Sequence, residues 1–102
     1  MYTINISKIP NQSFFVVVGE NQIDFRLHTF KDLMYCDIYV NGTMVSASTR
    51  CTPSNPLLPR YFNSRIGNFM FITDDDEYPN HENFGDTCNL IFITPEEIKE
   101  FG

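Results

Sequence analysis

The sequence predicts an all-β fold, a small antiparallel β-barrel or β-sandwich of about seven strands with a short C-terminal helix. Three observations predict it. Short runs of aromatic and β-branched residues recur along the chain, separated by clusters of Gly, Pro, Asn and Asp. The dipeptide Asn41-Gly42 stands between two such runs, and a two-residue type I′ hairpin turn needs positive φ at both positions. Residues 67 to 94 hold two further runs, Phe69-Met70-Phe71-Ile72 and Leu90-Ile91-Phe92-Ile93, around an acidic segment without periodicity, as two strands joined by a long loop would. A length of 102 residues suits one β domain over 1–102 with one core.

The first strand is expected over Tyr2 to Ile6, with Ile4 and Ile6 on one face. Pro10 interrupts the pattern, because it cannot donate to a ladder and holds Ile9 extended. Ser13 to Val18 follows as a strand apolar on both faces, ended by a turn at Gly19-Glu20-Asn21. From Gln22 to Phe30 the alternation is clear: Ile23, Phe25 and Leu27 point one way, and Gln22, Asp24, Arg26 and His28 the other. After a turn at Lys31-Asp32, Leu33 to Val40 sends Met34, Cys36, Ile38 and Val40 to the core and Tyr35, Asp37 and Tyr39 outward. Thr43 to Arg50 pairs back across Asn41-Gly42 with Val45 and Ala47 inward, which completes a four-stranded meander.

Cys51 to Asn63 cannot be helix or central strand, since Pro53, Pro56 and Pro59 recur every third residue. It is expected to cross from one sheet, or one side of a barrel, to the other, with Leu57 and Leu58 covering an open end of the core. Asn68 to Thr73 and Thr87 to Thr94 are the last strands. Apolar on both faces, they require cover by the core on one side and by a lid or a partner on the other. Thr94-Pro95-Glu96-Glu97 then carries the marks of a helix start: a capping threonine, proline at the first helical position and glutamate at the third. Ile98 and Phe101 offer that helix one apolar stripe.

Charge narrows the functions. Residues 1–73 carry six basic and four acidic side chains, a net +2, whereas residues 74–102 carry one basic and nine acidic, a net −8. Nucleic acid is disfavoured, because phosphates need a basic stripe. An acidic end instead suits a basic protein surface. The longest apolar run, Phe14 to Val18, is far too short for a membrane span, and the N-terminal residues lack a secretory pattern, so a soluble protein made inside a cell is expected. Cys36, Cys51 and Cys88 have no paired spacing and read as reduced, buried thiols.

The residues carry little chemistry. Asp74 and Asp76 fit the first positions of a calcium loop, but Tyr78-Pro79 stands where a ligand and the turn glycine belong, so no metal site is expected. His28 and His81 have no ligand spacing to a cysteine, and neither is tied to a nucleophile. There is no phosphate loop and no nucleophile elbow, hence no catalytic residue and no cofactor. What remains is surface. Tyr35 and Tyr39 face outward, with Phe30 a further candidate, and the acidic loop Asp74, Asp75, Asp76, Glu77 and Tyr78 is the other expected contact. The competing reading covers these rings with a second sheet or with the proline segment.

Taken together, several segments resemble a family of small baseplate plug proteins from contractile-tailed bacteriophages. They are Ile9-Pro10-Asn11-Gln12 before an apolar strand, Asp37-Ile38-Tyr39 before a turn and return strand, Gly67-Asn68-Phe69 leading into Thr73-Asp74, and Asn83-Phe84-Gly85 before Leu90-Ile91-Phe92. The resemblance covers nearly the whole chain; around Cys51 to Asn63 this chain is bulkier than the family pattern. It implies a structural subunit of the virion, made in the host cytoplasm and packed in or against the hub and tail tube of the baseplate. Other tail proteins would be its partners, within a symmetric oligomer, with no catalysis, cofactor, nucleic acid or membrane span. Two further functions fit the residues: a free-standing β-sandwich module that binds a carbohydrate, peptide or host protein, and an inhibitor that blocks a host enzyme through its acidic face.

Overall fold

A computed structural model describes residues 1–101, apart from the side chains of Asp76 and Phe101. Seven strands precede one helix: β1 (Tyr2–Ile4), β2 (Gln12–Val18), β3 (Asn21–Phe30), β4 (Leu33–Val40), β5 (Thr43–Arg50), β6 (Asn68–Thr73), β7 (Cys88–Ile93) and α1 (Pro95–Phe101). They form two antiparallel sheets, β2-β3-β4-β5 and β1-β7-β6. The expected strand number, the meander and the terminal helix are all present. The sheets do not close into a barrel.

The sheets are joined along one border. After β5 the proline segment runs beside β6: Pro53 bridges Phe71, and the N–H groups of Ser54 and Leu57 donate to the carbonyls of Phe71 and Phe69 at 2.8 Å each. Leu57 and Leu58 are buried in the core, as expected of the crossover. Its anchor is Asn68, the one buried polar residue among those described, 2% exposed. The Asn68 Oδ1 accepts from the N–H of Leu58 at 2.9 Å and of Phe69 at 2.8 Å. Its Nδ2 donates to the Leu58 carbonyl at 3.1 Å and to Asn63 Oδ1 at 2.6 Å. One step earlier, Gly67 has φ +110°, and a Cβ there would lie 2.3 Å from the Ile93 carbonyl oxygen. Glycine is required by both the conformation and the closeness of β7.

Phenylalanine rings bind the layers together. Phe14 stacks on Phe25 at 5.1 Å, Phe25 meets Phe69 edge-on at 4.9 Å, and Phe69 lies 5.0 Å from Phe92. Pairs of this kind contribute about 0.5–1.5 kcal/mol beyond the area they bury. The hairpins are tight. Asn41 and Gly42 both have positive φ (52° and 85°), as the type I′ turn demands. Lys31 and Asp32 adopt the same hand, at 50° and 63°, without a glycine. In α1, Thr94 and Glu97 bond reciprocally: the Thr94 N–H donates to Glu97 Oε1 at 3.0 Å, and the Glu97 N–H to Thr94 Oγ1 at 3.3 Å. Ile98 is half-buried; the stripe's other member, Phe101, has its side chain outside the described residues.

Three expectations change. β6 and β7 need no outside lid, because the chain buries them itself. Phe69, Phe71 and Leu90 are 0% exposed, and Ile91 and Ile93, on the other face of β7, are 5% exposed. Of the two runs only Ile72 stays open. β2, by contrast, is covered on one face only: Phe14, Val16 and Val18 pack against the core, while Phe15 and Val17 are each 61% exposed. In β5, Val45 turns inward but Ala47 is exposed. The register with β4 slips between Cys36 and Tyr39, and Ser48 takes φ +46° with its N–H donating to Asp37 Oδ1. This bulge inserts a residue and inverts the alternation after Val45.

Candidate assembly interface

The outward face of the β2-β3-β4-β5 sheet presents cross-strand rows, because antiparallel register sets partners side by side. One row runs Phe15, Asp24, Tyr39, Met44. The next aligns Ser13, Arg26 and Asp37, and a third His28, Tyr35 and Arg50. Tyr35 and Tyr39 are half-buried in these rows. The His28 ring stacks on Tyr35 at 5.8 Å, 17° from parallel. Phe30 stands at the end of β3, 63% exposed. Between the rows lie two shallow hollows of about 500 Å³ and 530 Å³; Ser13 and Arg26 line both, with His28 and Asp37 in the first and Phe15 and Tyr39 in the second.

The acidic loop leaves β6 in a single 3-10 turn, Asp74–Asp76, with Asp75 at φ +53°. The Thr73 hydroxyl donates to the Glu77 carbonyl at 2.7 Å, the Glu77 N–H to the Asp74 carbonyl at 3.1 Å, and the Asp74 N–H to the Thr87 carbonyl at 2.9 Å. These bonds fix the loop's backbone and leave the carboxylates of Asp74, Asp75 and Glu77 in solvent. Among the described residues the one ion pair joins the Met1 ammonium to Glu97, and none of these acids is paired directly with a lysine or arginine. Asp76, expected in the same set, has its side chain outside the described residues.

Tyr78 joins loop and sheet. Its ring lies under the Arg50 guanidinium, 4.7 Å from the ring centroid, and Arg50 is the register partner of Tyr35. Of the residues singled out from sequence, Tyr78 therefore lies against a residue of the strand that pairs with Tyr35, whereas Tyr39 belongs to the row that ends at Phe15 and Met44. Phe15, Val17, Met44 and Arg50 are surface residues that sequence reasoning missed. For the first two no signal within the run Phe14 to Val18 separates an edge strand from one covered on both faces.

The rest of the chain's reactive groups are withdrawn. Cys36, Cys51 and Cys88 are free and buried. A hydrogen bond shared with Cys51, then burial, holds the Cys36 thiol far above its ordinary range, and burial pushes the Cys88 thiol up to about 11. Neither thiol is poised as a nucleophile. Among the described residues no three His, Cys, Asp or Glu side chains converge as a metal site would, and no helix is long and apolar enough to cross a membrane. No curated protein matches the sequence. A family model described as "Cyanophage baseplate Pam3 plug gp18" matches residues 1–96.

Proposed function

Since this chain belongs to the cyanophage baseplate plug family, a structural component of the phage tail, we propose that it is a non-catalytic subunit packed in or against the hub and tail tube. In this reading it is made in the host cytoplasm, folds as one unit over 1–102 and enters the virion as part of a symmetric oligomer. Its contacts are Tyr35 and Tyr39 on the open sheet face and Asp74, Asp75, Asp76, Glu77 and Tyr78 in the loop.

The observation that carries this reading is the acidic loop. Asp74, Asp75 and Glu77 stand on a turn closed by hydrogen bonds from Asp74 and Glu77, exposed and in no direct ion pair. Carboxylates presented on a closed loop backbone draw a basic surface in from a distance. Tyr78, under the Arg50 guanidinium, and Tyr35, the register partner of Arg50, supply ring surface of the kind enriched at docking sites.

The test reverses charge at Asp74, Asp75 and Glu77 together, each to Lys, and measures both co-assembly with purified hub and tube proteins and the thermal midpoint of the isolated chain. Assembly is expected to fall, and wild-type assembly to weaken with added salt, while the midpoint hardly moves. Equal loss of both would assign the acids to folding. Undiminished assembly would place the contact elsewhere.

A further inference from the structure

The acidic turn is closed within its own hairpin. The Asp74 N–H reaches the Thr87 carbonyl just before β7, and the Glu77 N–H and the Thr73 hydroxyl close the turn on itself. A second turn follows, capped by Asn80, whose Oδ1 accepts from the Glu82 N–H at 2.9 Å. Neither set of bonds reaches the β2-β3-β4-β5 sheet. Among the described residues no hydrogen bond or ion pair joins 74–79 to that sheet. The tie is Arg50, whose guanidinium lies 4.7 Å from the Tyr78 ring centroid and makes no ion pair of its own.

The two members of this contact are held unequally. Tyr39 stands opposite Met44, and that register carried on unbroken would set Ser48 opposite Tyr35. The slips in β5 bring Arg50 there instead, as bulges do when they re-aim a side chain. Two residues earlier the Ser48 N–H donates to Asp37 Oδ1, and one residue later the Cys51 N–H donates to the Met34 carbonyl at 2.9 Å. Both bonds fasten the backbone around Arg50 to β4. Tyr78, by contrast, belongs to the loop and is 54% exposed. Arg50 is the fixed member, and the loop is the part it steadies.

We propose that Arg50 is the positioning residue of the acidic loop. Seated on Tyr78, it holds the turn that bears Asp74, Asp75 and Glu77 beside the border of the open sheet, so a basic partner meets loop and sheet as one surface. This role rests on the acidic-loop reading above and names the residue on which the loop's placement depends. An exposed cation on a ring shifts an equilibrium about two- to five-fold, which sets how often the loop stands in its docking position. The charge of Arg50 works in the opposite direction. Removing it makes the region more acidic, so charge alone predicts stronger attraction of a basic partner, whereas lost placement predicts weaker docking.

The test reads the loop without a partner and the docking with one. In the isolated chain, amide exchange by NMR is compared among wild type, Arg50→Gln, Tyr78→Leu and the double variant. The Glu77 amide is expected to exchange about two- to five-fold faster in each single variant and no faster still in the double, as coupled residues require. The Leu58 amide, inside the core, is expected to keep its wild-type rate, and Tyr78→Phe, which keeps the ring, to match wild type throughout. With purified hub and tube proteins, Arg50→Gln and Tyr78→Leu are expected to weaken assembly by a similar factor and Tyr78→Phe to leave it unchanged. Unchanged Glu77 exchange, or a double variant in which the two effects multiply, overturns the positioning role. So does an Arg50→Gln chain that assembles as well as wild type or better while charge reversal at the three acids impairs assembly. Undiminished assembly after that charge reversal instead overturns the acidic-loop reading, and with it docking as the purpose of the contact, whatever the exchange rates.

Discussion

Replacing Asn68 with Ala should cost more than any surface change in this molecule. The side chain is 2% exposed and makes four hydrogen bonds: to Leu58 through both its N–H and its carbonyl, to the Phe69 N–H, and to Asn63. Alanine leaves the two backbone groups of Leu58, itself 3% exposed, without partners. A buried polar group left unsatisfied costs about 1–3 kcal/mol. Two such groups, eased by a water entering the space vacated, give about 3 kcal/mol. In a chain of this length that is a fall of roughly 12–24 °C in thermal midpoint. Urea denaturation reads the loss as a lower midpoint at unchanged slope, and the Leu58 amide should exchange much faster. Asn68→Asp sharpens the test. A carboxylate keeps both accepting bonds but faces the Leu58 carbonyl and Asn63 Oδ1 with no proton to offer. Its folded pKa is therefore raised above its unfolded value, and the variant should regain stability relative to wild type as pH falls through that raised value. A loss below about 1 kcal/mol for Asn68→Ala, or a pH-independent Asn68→Asp, would refute the view that this side chain holds the crossover in place.

Gly67→Ala should also be severe, about 3 kcal/mol by urea midpoint, since φ +110° disfavours any side chain and the Cβ would overlap the Ile93 carbonyl oxygen. Native protein at about pH 8 should react negligibly with a bulky disulfide reagent, because a thiol of pKa about 11 is roughly one part in a thousand thiolate and the other thiols are buried; denaturant should release all three, and a fast native thiol would contradict the burial. Glu97→Gln should destabilise near neutral pH but not in strong acid. The Met1 ammonium, then the Thr94 N–H, hold the Glu97 carboxyl below its usual range. Its stabilisation is complete above the unfolded pKa and is lost as pH falls through the folded one, so stability curves of variant and wild type should converge at low pH; parallel curves would show that this charge contributes nothing.

How much of this was legible in the sequence depended on how local each cause is. The meander was readable because its turns are written in adjacent residues, Asn41-Gly42 above all, and the helix start because Thr94, Pro95 and Glu97 act on one another within a turn. The open border at β2 was not. Phe14 to Val18 reads the same for a strand buried twice and for an edge, and only the pairing of distant strands decides which. The β5 alternation failed at Ala47 because the bulge is held by Asp37, a residue of the neighbouring strand. The outward tyrosines and the acidic loop stood apart in the sequence, and nothing in their spacing shows that Arg50, at the end of β5, lies over Tyr78. Asn68 was one polar letter before an apolar run until the crossover folded onto it.

The one-sided joining of the two sheets has a mechanical consequence. Along the Pro53–Leu57 border the layers are stitched by directional bonds that resist sliding, whereas β1 and β2 are tied only by the connecting residues 5–11, with no pairing between the two strands among the described residues. The body is thus built like a book with a sewn spine and a fore-edge closed by a single ribbon. A neighbour pulling the covers apart strains ring contacts such as Phe14 on Phe25 and Phe25 on Phe69, which yield gradually, before it loads the spine.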